Sequence, residues 1–94
     1  MKVIGRGLLK AFCDEHADCR KWIANWVRDV EDCTWETTHD VKARYPTASF
    51  LAENVVIFNV RGNVYRLETQ IAFAVRVVAV KWIGTHAEYD KRTY

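Results

Sequence analysis

The chain is poor in the residues that mark linkers, long loops and membrane segments. Its 94 residues include one proline and four glycines, so a Pro-rich or Gly-rich linker is excluded. No apolar run approaches the roughly 20 residues that a membrane helix needs. The first residues also lack the apolar core of a signal peptide. Half of the side chains are apolar or aromatic, and we therefore expect one folded domain over residues 1–94 with no membrane segment.

Cysteine is scarce and odd in number, with Cys13, Cys19 and Cys33 as its three positions. Without a leader sequence this usage is typical of reduced thiols, which predicts a cytoplasmic protein. Cys13, His16 and Cys19 have a spacing that a zinc site could use, but a fourth ligand would have to come from elsewhere. Ordinary helix positions are the favoured interpretation, so we expect no metal and no cofactor.

Charge is unevenly distributed, although the formal net charge is only +2. Residues 55–86 carry four basic side chains and one acidic side chain, Glu68, whereas the charges of residues 1–47 cancel. A locally basic sheet suits a polyanion or an acidic protein as partner. Ordinary solvated charge explains the same pattern equally well.

The N-terminal half has the periodicity of helices. Residues 2–4 form a candidate strand, and an amphipathic helix is predicted over residues 7–17. Asp18 is expected to cap a second helix that ends near Val30, and Thr38 to cap a short third helix. The four tryptophans are expected in the core. The alternative for Trp22 and Trp26 is a position at a partner groove. The alternative for Trp35 and Trp82 is stacking on bases.

The C-terminal half has the alternation of strands. A strand over residues 55–60 leads into a Gly62–Asn63 turn, whose residues tolerate positive φ. An alternating strand follows, and residues 75–83 pair back as a third long strand. Thr85 is expected to cap a final helix, with Glu88 completing a capping box. The prediction is an α+β fold: an N-terminal strand and a helical hairpin on one face of a mainly antiparallel sheet, then a short C-terminal helix.

Three side chains near one end of this sheet have the chemistry for RNA cleavage without a metal. His86 and Tyr89 are three residues apart on the final helix, so they share a helix face, and Arg66 lies on the polar face of the strand after the turn. An imidazole can act as acid or base, a guanidinium matches phosphate oxygens, and a phenol can orient a proton or stack on a base. From the residues alone, a surface histidine and a core tyrosine explain the pattern more simply.

Residues 41–50, 56–67 and 84–91, with Trp35, resemble the HigB family of bacterial toxins, which belongs to the RelE/ParE-like superfamily. The resemblance implies a RelE/ParE-like fold and a ribosome-dependent mRNA endonuclease that stops translation. It also implies a HigA-type helix-turn-helix antitoxin as partner. The residues that it implies are Arg66, His86 and Tyr89 as catalytic groups, and Asn63, Lys81 and Lys91 as supporting or RNA-contacting groups.

Two positions depart from the pattern of the family. Relatives often have arginine where Lys81 stands, so the phosphate contact here would be a point charge rather than a fork. Relatives tend to be apolar at Glu68, whose carboxylate is expected to pair with Arg66 or Lys81 and to weaken the local positive field. A second class of function stays open beside the nuclease: a non-enzymatic protein of the same fold, either a ParE-like poison of DNA gyrase or a partner-binding domain.

Overall fold

The computed structural model describes residues 1–92, and residues 93 and 94 of the predicted domain lie outside that part. Five strands form one sheet, and helices cover one of its faces. No helix within residues 1–92 has both the length and the apolar character needed to cross a bilayer. The elements are β1 (Lys2–Ile4), α1 (Arg6–Glu15), α2 (Arg20–Asp32), α3 (Thr38–Arg44), β2 (Ser49–Phe50), β3 (Val55–Val60), β4 (Tyr65–Ala72), β5 (Val77–Thr85) and α4 (His86–Asp90).

The strand order across the sheet is β1-β5-β4-β3-β2. Strands β2 to β5 pair antiparallel with their neighbours, and β1 pairs parallel with β5 along the other edge of that strand. The predicted architecture is confirmed: an N-terminal strand and helices, a mainly antiparallel sheet and a short final helix.

The core lies between the helices and one face of the sheet. Alternate residues of β4 are buried, from Tyr65 to Ile71, because successive side chains of a strand point to opposite faces. Trp26 of α2 packs its ring edge against Phe58 of β3, with ring centroids 5.4 Å apart. Trp26 and Trp35 are both buried, as the sequence predicts, and the opposite face of the sheet, here called the open face, carries the polar residues of β4.

Both helix caps predicted in the first half are wrong by a few residues. Asp18 lies in a 3-10 turn before α2, and its carboxylate accepts hydrogen bonds from the Tyr65 hydroxyl at 2.7 Å and the Arg61 guanidinium at 2.9 Å. This contact between distant parts of the chain replaces the local cap. Thr37, rather than Thr38, is the N-cap of α3, because its side chain and that of Asp40 form a capping box. Helix α1 ends at Glu15, two residues before the predicted end.

Two details of the hairpin strands also differ from the prediction. Positive φ occurs at Arg61 (51°) and Gly62 (69°), not at Gly62 and Asn63, so the turn lies one residue earlier in the chain. Strand β5 begins at Val77 instead of residue 75. A 3-10 turn occupies the preceding residues, and Arg76 follows it in the left-handed region at φ 60°.

A register shift divides the pairing of β4 with β5 into two halves. Thr69 pairs with Val80, but Glu68 pairs with Trp82, so Lys81 is the extra residue of a β-bulge. An extra residue reverses the faces of everything after it, because side chains alternate with a period of two. Trp82 therefore leaves the core side and lies on the open face with Glu68, while Ile83 packs against the core.

Gly84, three residues beyond the bulge residue Lys81, lies against the ring of Trp82. A Cβ at Gly84 would lie 2.4 Å from Cζ2 of Trp82, well inside contact distance. We expect Gly84→Ala to displace the ring and to lower the free energy of unfolding by about 1–3 kcal/mol, as overpacking does. Urea denaturation followed by far-UV circular dichroism measures the change.

Gly7→Ala is the matched control for Gly84→Ala. Gly7 lies within α1, and a Cβ there would meet nothing within 4 Å. Because alanine loses less backbone entropy in a helix, this change is expected to raise the free energy of unfolding by roughly 0.5–1 kcal/mol. Equal effects of the two substitutions would show that Trp82 does not pack on Gly84 as described.

A capping box begins α4, as the sequence predicts. The Glu88 backbone N–H donates to the Thr85 hydroxyl at 3.1 Å, and the Thr85 N–H donates to the Glu88 carboxylate at 2.9 Å. The hydrogen bond from the Thr85 backbone is the main cause that lowers the pKa of Glu88 below its ordinary value of 4.5. The charged carboxylate is therefore the form that holds the start of the helix.

The low pKa of Glu88 predicts a pH-dependent contribution to stability. A lowered folded-state pKa stabilises the fold above the ordinary value, and this contribution disappears as pH falls through the folded-state value. The wild type should be more stable than Glu88→Gln at neutral pH, and the difference should shrink as pH falls below 4.5 and disappear once pH is below the folded-state pKa. Urea denaturation at several pH values tests this, and a difference that persists in acid would contradict it.

Candidate functional site

Arg66 lies on the open face in the middle of the sheet, half-buried between two cross-strand neighbours. It pairs with Asn59 of β3 on one side and with Gly84 of β5 on the other. Its guanidinium carbon lies 5.9 Å from the ring centroid of Tyr89, within the range of a cation–π contact. Because glycine has no side chain, the Trp82 ring lies where a Gly84 Cβ would be, and the Glu88 carboxylate of α4 lies 3.2 Å from that position. Two of the three predicted catalytic side chains are thus in contact.

His86 is the first residue of α4, directly after the Thr85 cap. Its backbone N–H donates to the Val64 carbonyl at 3.2 Å, which fixes the helix start against the turn before β4. The Nδ1 atom of its ring lies 3.0 Å from the Asp90 carboxylate, one helical turn later. A carboxylate at Nδ1 favours the tautomer whose Nε2 carries the lone pair, so Asp90 orients the imidazole.

The imidazole of His86 is half exposed and shares the short helix with Tyr89. Its ring contact, however, is with Asp90, whereas Tyr89 reaches Arg66. The sequence suggested three groups in one place. The structure gives a contacting pair, Arg66 and Tyr89, and a histidine on the adjoining turn of the same helix. Asp90 was missed, although its spacing of four residues from His86 on a helix was a usable signal.

Three further polar residues predicted for the site are all exposed. Asn63 lies in the turn before β4, Lys81 is the bulge residue of β5, and Lys91 directly follows α4. They come from three separate segments of the chain. Exposure leaves their amide and ammonium groups accessible to a ligand.

Glu68 pairs with a residue that the sequence did not suggest. Its side chain is only 13 % exposed and forms an ion pair with Arg92 at 3.0 Å, whereas the expected partners were Arg66 or Lys81. The Arg92 guanidinium also lies over the Trp82 ring, 4.3 Å from its centroid. The carboxylate that was expected to weaken the positive field of Arg66 is instead matched by a second arginine.

Trp82 is half-buried on the open face, so the predicted burial in the core is wrong. Its ring lies between the Arg92 guanidinium and Tyr89, whose ring centroid is 6.3 Å away. The cause is the bulge at Lys81, which reverses the face of the tryptophan. No local sequence signal marks this bulge, which exists only in the pairing of β5 with β4.

The predicted zinc alternative finds no support in the described part of the chain. Cys13 and Cys19 are buried with their Sγ atoms 3.7 Å apart, and His16 stacks on the Phe12 ring. Within residues 1–92, no three His, Cys, Asp or Glu side chains converge as metal ligands would. Burial raises the pKa of Cys19 to about 12, so its thiol is neutral at physiological pH.

Arg66 on the open face contacts the phenol ring of Tyr89, and a carboxylate-oriented imidazole, that of His86, lies at the start of the same helix. A guanidinium binds a phosphate by two parallel hydrogen bonds, and an imidazole exchanges protons at neutral pH. Groups of this kind can hold an anionic ester and move its protons. Arg66 has Tyr89 on one side of its guanidinium, so its orientation is limited before a ligand arrives.

Comparison with known proteins identifies the family of the chain. The family model of the HigB toxins, described as the RelE-like toxic component of a toxin–antitoxin system, matches residues 19–92. No curated protein matches the chain at a significant level. The match includes α2, all of the sheet except β1, and the elements that carry Arg66, His86 and Tyr89. The chain therefore belongs to the HigB toxin family, the RelE-like toxic components of toxin–antitoxin systems.

Proposed function

We propose that this toxin is an mRNA endonuclease that cuts ribosome-bound mRNA and so inhibits translation. The observation that carries the proposal is the contact of Arg66 with Tyr89, which belongs to the same short helix as the Asp90-oriented ring of His86. These are a phosphate-binding group on the sheet and two proton-transfer groups on the helix that follows it. The family, a RelE-like toxin, supports the same class of activity.

The reaction proposed is attack by a ribose 2′-hydroxyl on the adjacent phosphorus, without a metal. The 2′-oxygen forms a bond to phosphorus, and the bond from phosphorus to the 5′-oxygen of the next nucleotide breaks. One side chain removes the proton of the 2′-hydroxyl, and another protonates the leaving 5′-oxygen. The products are a 2′,3′-cyclic phosphate and a free 5′-hydroxyl, so no oxidant or further reactant is needed.

Within this reaction we assign Arg66 to the phosphate, and His86 and Tyr89 to proton transfer. The guanidinium stabilises the charge that develops on the non-bridging oxygens, the role that a fixed cation performs best. Asp90 is a positioning residue, because it acts through the imidazole of His86. The exposed groups of Asn63, Lys81 and Lys91 are proposed to contact RNA.

The family and the proposed reaction also imply partners for this toxin. A toxin of this family implies an antitoxin partner, and we propose that it is a helix-turn-helix protein of the HigA type. The mRNA and the ribosome are the proposed targets, which places the toxin in the cytoplasm. Residues 1–94 are proposed to act as one toxin domain.

Loss of the proposed catalytic groups should abolish toxicity without unfolding the chain. Arg66→Ala and His86→Ala are each expected to lower cleavage by roughly a hundredfold or more, the scale of a lost acid–base or phosphate-stabilising group. Growth after induction measures toxicity, and circular dichroism of the purified variants checks the fold. Arg28→Ala and His39→Ala, two exposed positions on the helical layer, are the matched controls and should stay toxic.

Primer extension on cellular mRNA after induction tests the reaction itself. The wild type should create new 5′ ends within translated regions, and Arg66→Ala should create none. If the wild type arrests growth and induces a DNA-damage response without new 5′ ends, the gyrase-poison function replaces the nuclease. Full toxicity of both Arg66→Ala and His86→Ala would overturn the site assignment.

A further inference from the structure

A hollow of about 510 Å³ lies beside the proposed site, at the edge of the sheet. It opens beyond the last β2 pair, Ser49 with Ile57, where β3 still pairs with β4 but no longer has β2 on its other edge. Its wall consists of α2, the segment after α3, and the turn itself, through Trp22, Tyr45, Pro46, Asn59, Gly62 and Asn63. The volume is within the range of small-ligand sites, about 300–1,000 Å³. Of these lining residues, Asn63 alone has a part in the proposed function, as an RNA contact.

Trp22 supplies an aromatic surface to the hollow. The stripe of Ile23 and Trp26 on α2 is buried, whereas Trp22 lies on the flank of that stripe and is half-buried. Its ring lines both this hollow and an adjoining one that also includes Lys21 and Arg61. An indole that is held on one side and accessible on the other is a platform on which a planar ligand can stack.

Tyr45 forms a rigid wall next to that indole. Its hydroxyl donates to the Asp29 carboxylate at 2.7 Å, and the Arg44 guanidinium lies over its ring, 4.8 Å from the centroid. Burial, together with the hydrogen bond to Asp29, raises the pKa of Tyr45 above its usual range. The ring centroids of Trp22 and Tyr45 are 6.3 Å apart. The aromatic part of the hollow is therefore preformed.

Two amides supply polar groups that can read a ligand edge. Asn59 donates through Nδ2 to the Thr47 carbonyl at 3.0 Å, which fixes its side chain and leaves its carbonyl oxygen as an acceptor. Asn63 is exposed in the turn and offers both a donor and an acceptor. An amide matches the paired donor and acceptor edges of nucleobases.

The hollow is directly connected to the proposed phosphate site through one residue pair. Asn59 is the cross-strand partner of Arg66, so their side chains share the open face and are nearest neighbours on it. A chain with a phosphate at Arg66 therefore has its next group beside Asn59. Alternating phosphates and bases are the chemistry of a single-stranded nucleic acid.

We propose that this hollow is a nucleobase subsite, which receives one unstacked base of single-stranded RNA on Trp22 while Arg66 holds a neighbouring phosphate. The inference rests on the proposed endonuclease function and adds to it a group that selects the substrate. An apolar protein segment is the less suitable occupant, because the indole is surrounded by amides and by the ion pairs of Arg44 with Asp29 and Arg61 with Asp18. The groove between α1 and α2, lined by Leu9, Ile23 and Val27, has the apolar character that a partner helix would need.

Binding of an uncuttable RNA tests the subsite apart from catalysis. The probe is a fluorescein-labelled 2′-O-methyl heptamer, which lacks the attacking hydroxyl, and fluorescence anisotropy gives its Kd. Trp22→Leu keeps an apolar side chain but loses the stacking face, so Kd should rise about fivefold or more, the scale of one lost base stack. Trp22→Phe should bind within about threefold of the wild type, because it keeps a face for stacking.

Salt dependence separates this contact from a phosphate contact. Trp22→Leu should leave the slope of log K against log salt unchanged, and Arg66→Ala should reduce it by about 0.7, the value for one lost phosphate of a single strand. Leu8→Ala removes an exposed apolar side chain on α1, 48 % accessible, and serves as the control without effect. Thermal unfolding of each variant checks that the fold is retained.

A heptamer series with one base at a time replaced by an abasic spacer gives the decisive comparison. At one position of the heptamer, removal of the base should weaken RNA binding by the wild type as much as the Trp22→Leu substitution does. The same removal should not weaken RNA binding by the Trp22→Leu variant any further. The subsite would be overturned if, at every position, the losses of affinity from base removal and from Trp22→Leu simply added. Wild-type affinity in the Trp22→Leu variant, or no RNA binding by the wild type, would also overturn it. Asn63→Ala should weaken binding at that same position and provides a second variant.

The outcomes also distinguish the subsite from the proposed function. If Trp22-dependent binding holds but induction leaves no new mRNA ends, the endonuclease proposal fails alone. If the Trp22→Leu variant cuts mRNA as the wild type does, and no abasic position shows the coupling to Trp22, the subsite proposal fails alone. If Trp22→Leu binds RNA normally but no longer co-purifies with the antitoxin, the hollow is an antitoxin contact and the proposal is overturned.

Discussion

The β-bulge at Lys81 is the constraint on which the open face depends. One extra residue in β5 shifts its register against β4 and turns Trp82 out of the core. The indole then lies close over Gly84, which pairs with Arg66, so that Arg92 and Tyr89 gather around the same ring. A regular strand would have kept the tryptophan in the core, and α4 would have had no such surface to approach.

Charge on the open face is arranged so that Arg66 keeps its positive field. Glu68, two residues after Arg66 on β4, is largely buried and forms an ion pair with Arg92. The Arg92 guanidinium also lies over the Trp82 ring. A buried carboxylate needs such a partner, because an unpaired charge out of water costs several kcal/mol. The acidic residue that looks unfavourable in the sequence thus contributes an ion pair that holds Arg92 beside the sheet.

The two regions that are proposed to bind RNA meet at the pair of Asn59 and Arg66. On one side lies α4 with its imidazole and phenol, and on the other lies the hollow of Trp22 and Tyr45. Phosphate contacts position a nucleic acid, whereas contacts to bases specify it. The two regions adjoin because neighbouring strands of one hairpin carry Asn59 of the hollow and Arg66 of the proposed phosphate site side by side.

The sequence by itself determined the features that repeat locally. The stripe of α2, the alternation of β4 and the capping box of Thr85 with Glu88 each follow from residues within a few positions of one another. Only the tertiary structure decided the bulge, the exposure of Trp82, the binding of Asp18 by Tyr65, and the hollow beside Arg66. Each of these is a contact between segments far apart in the chain, and the periodicity of one segment carries no information about the register of another.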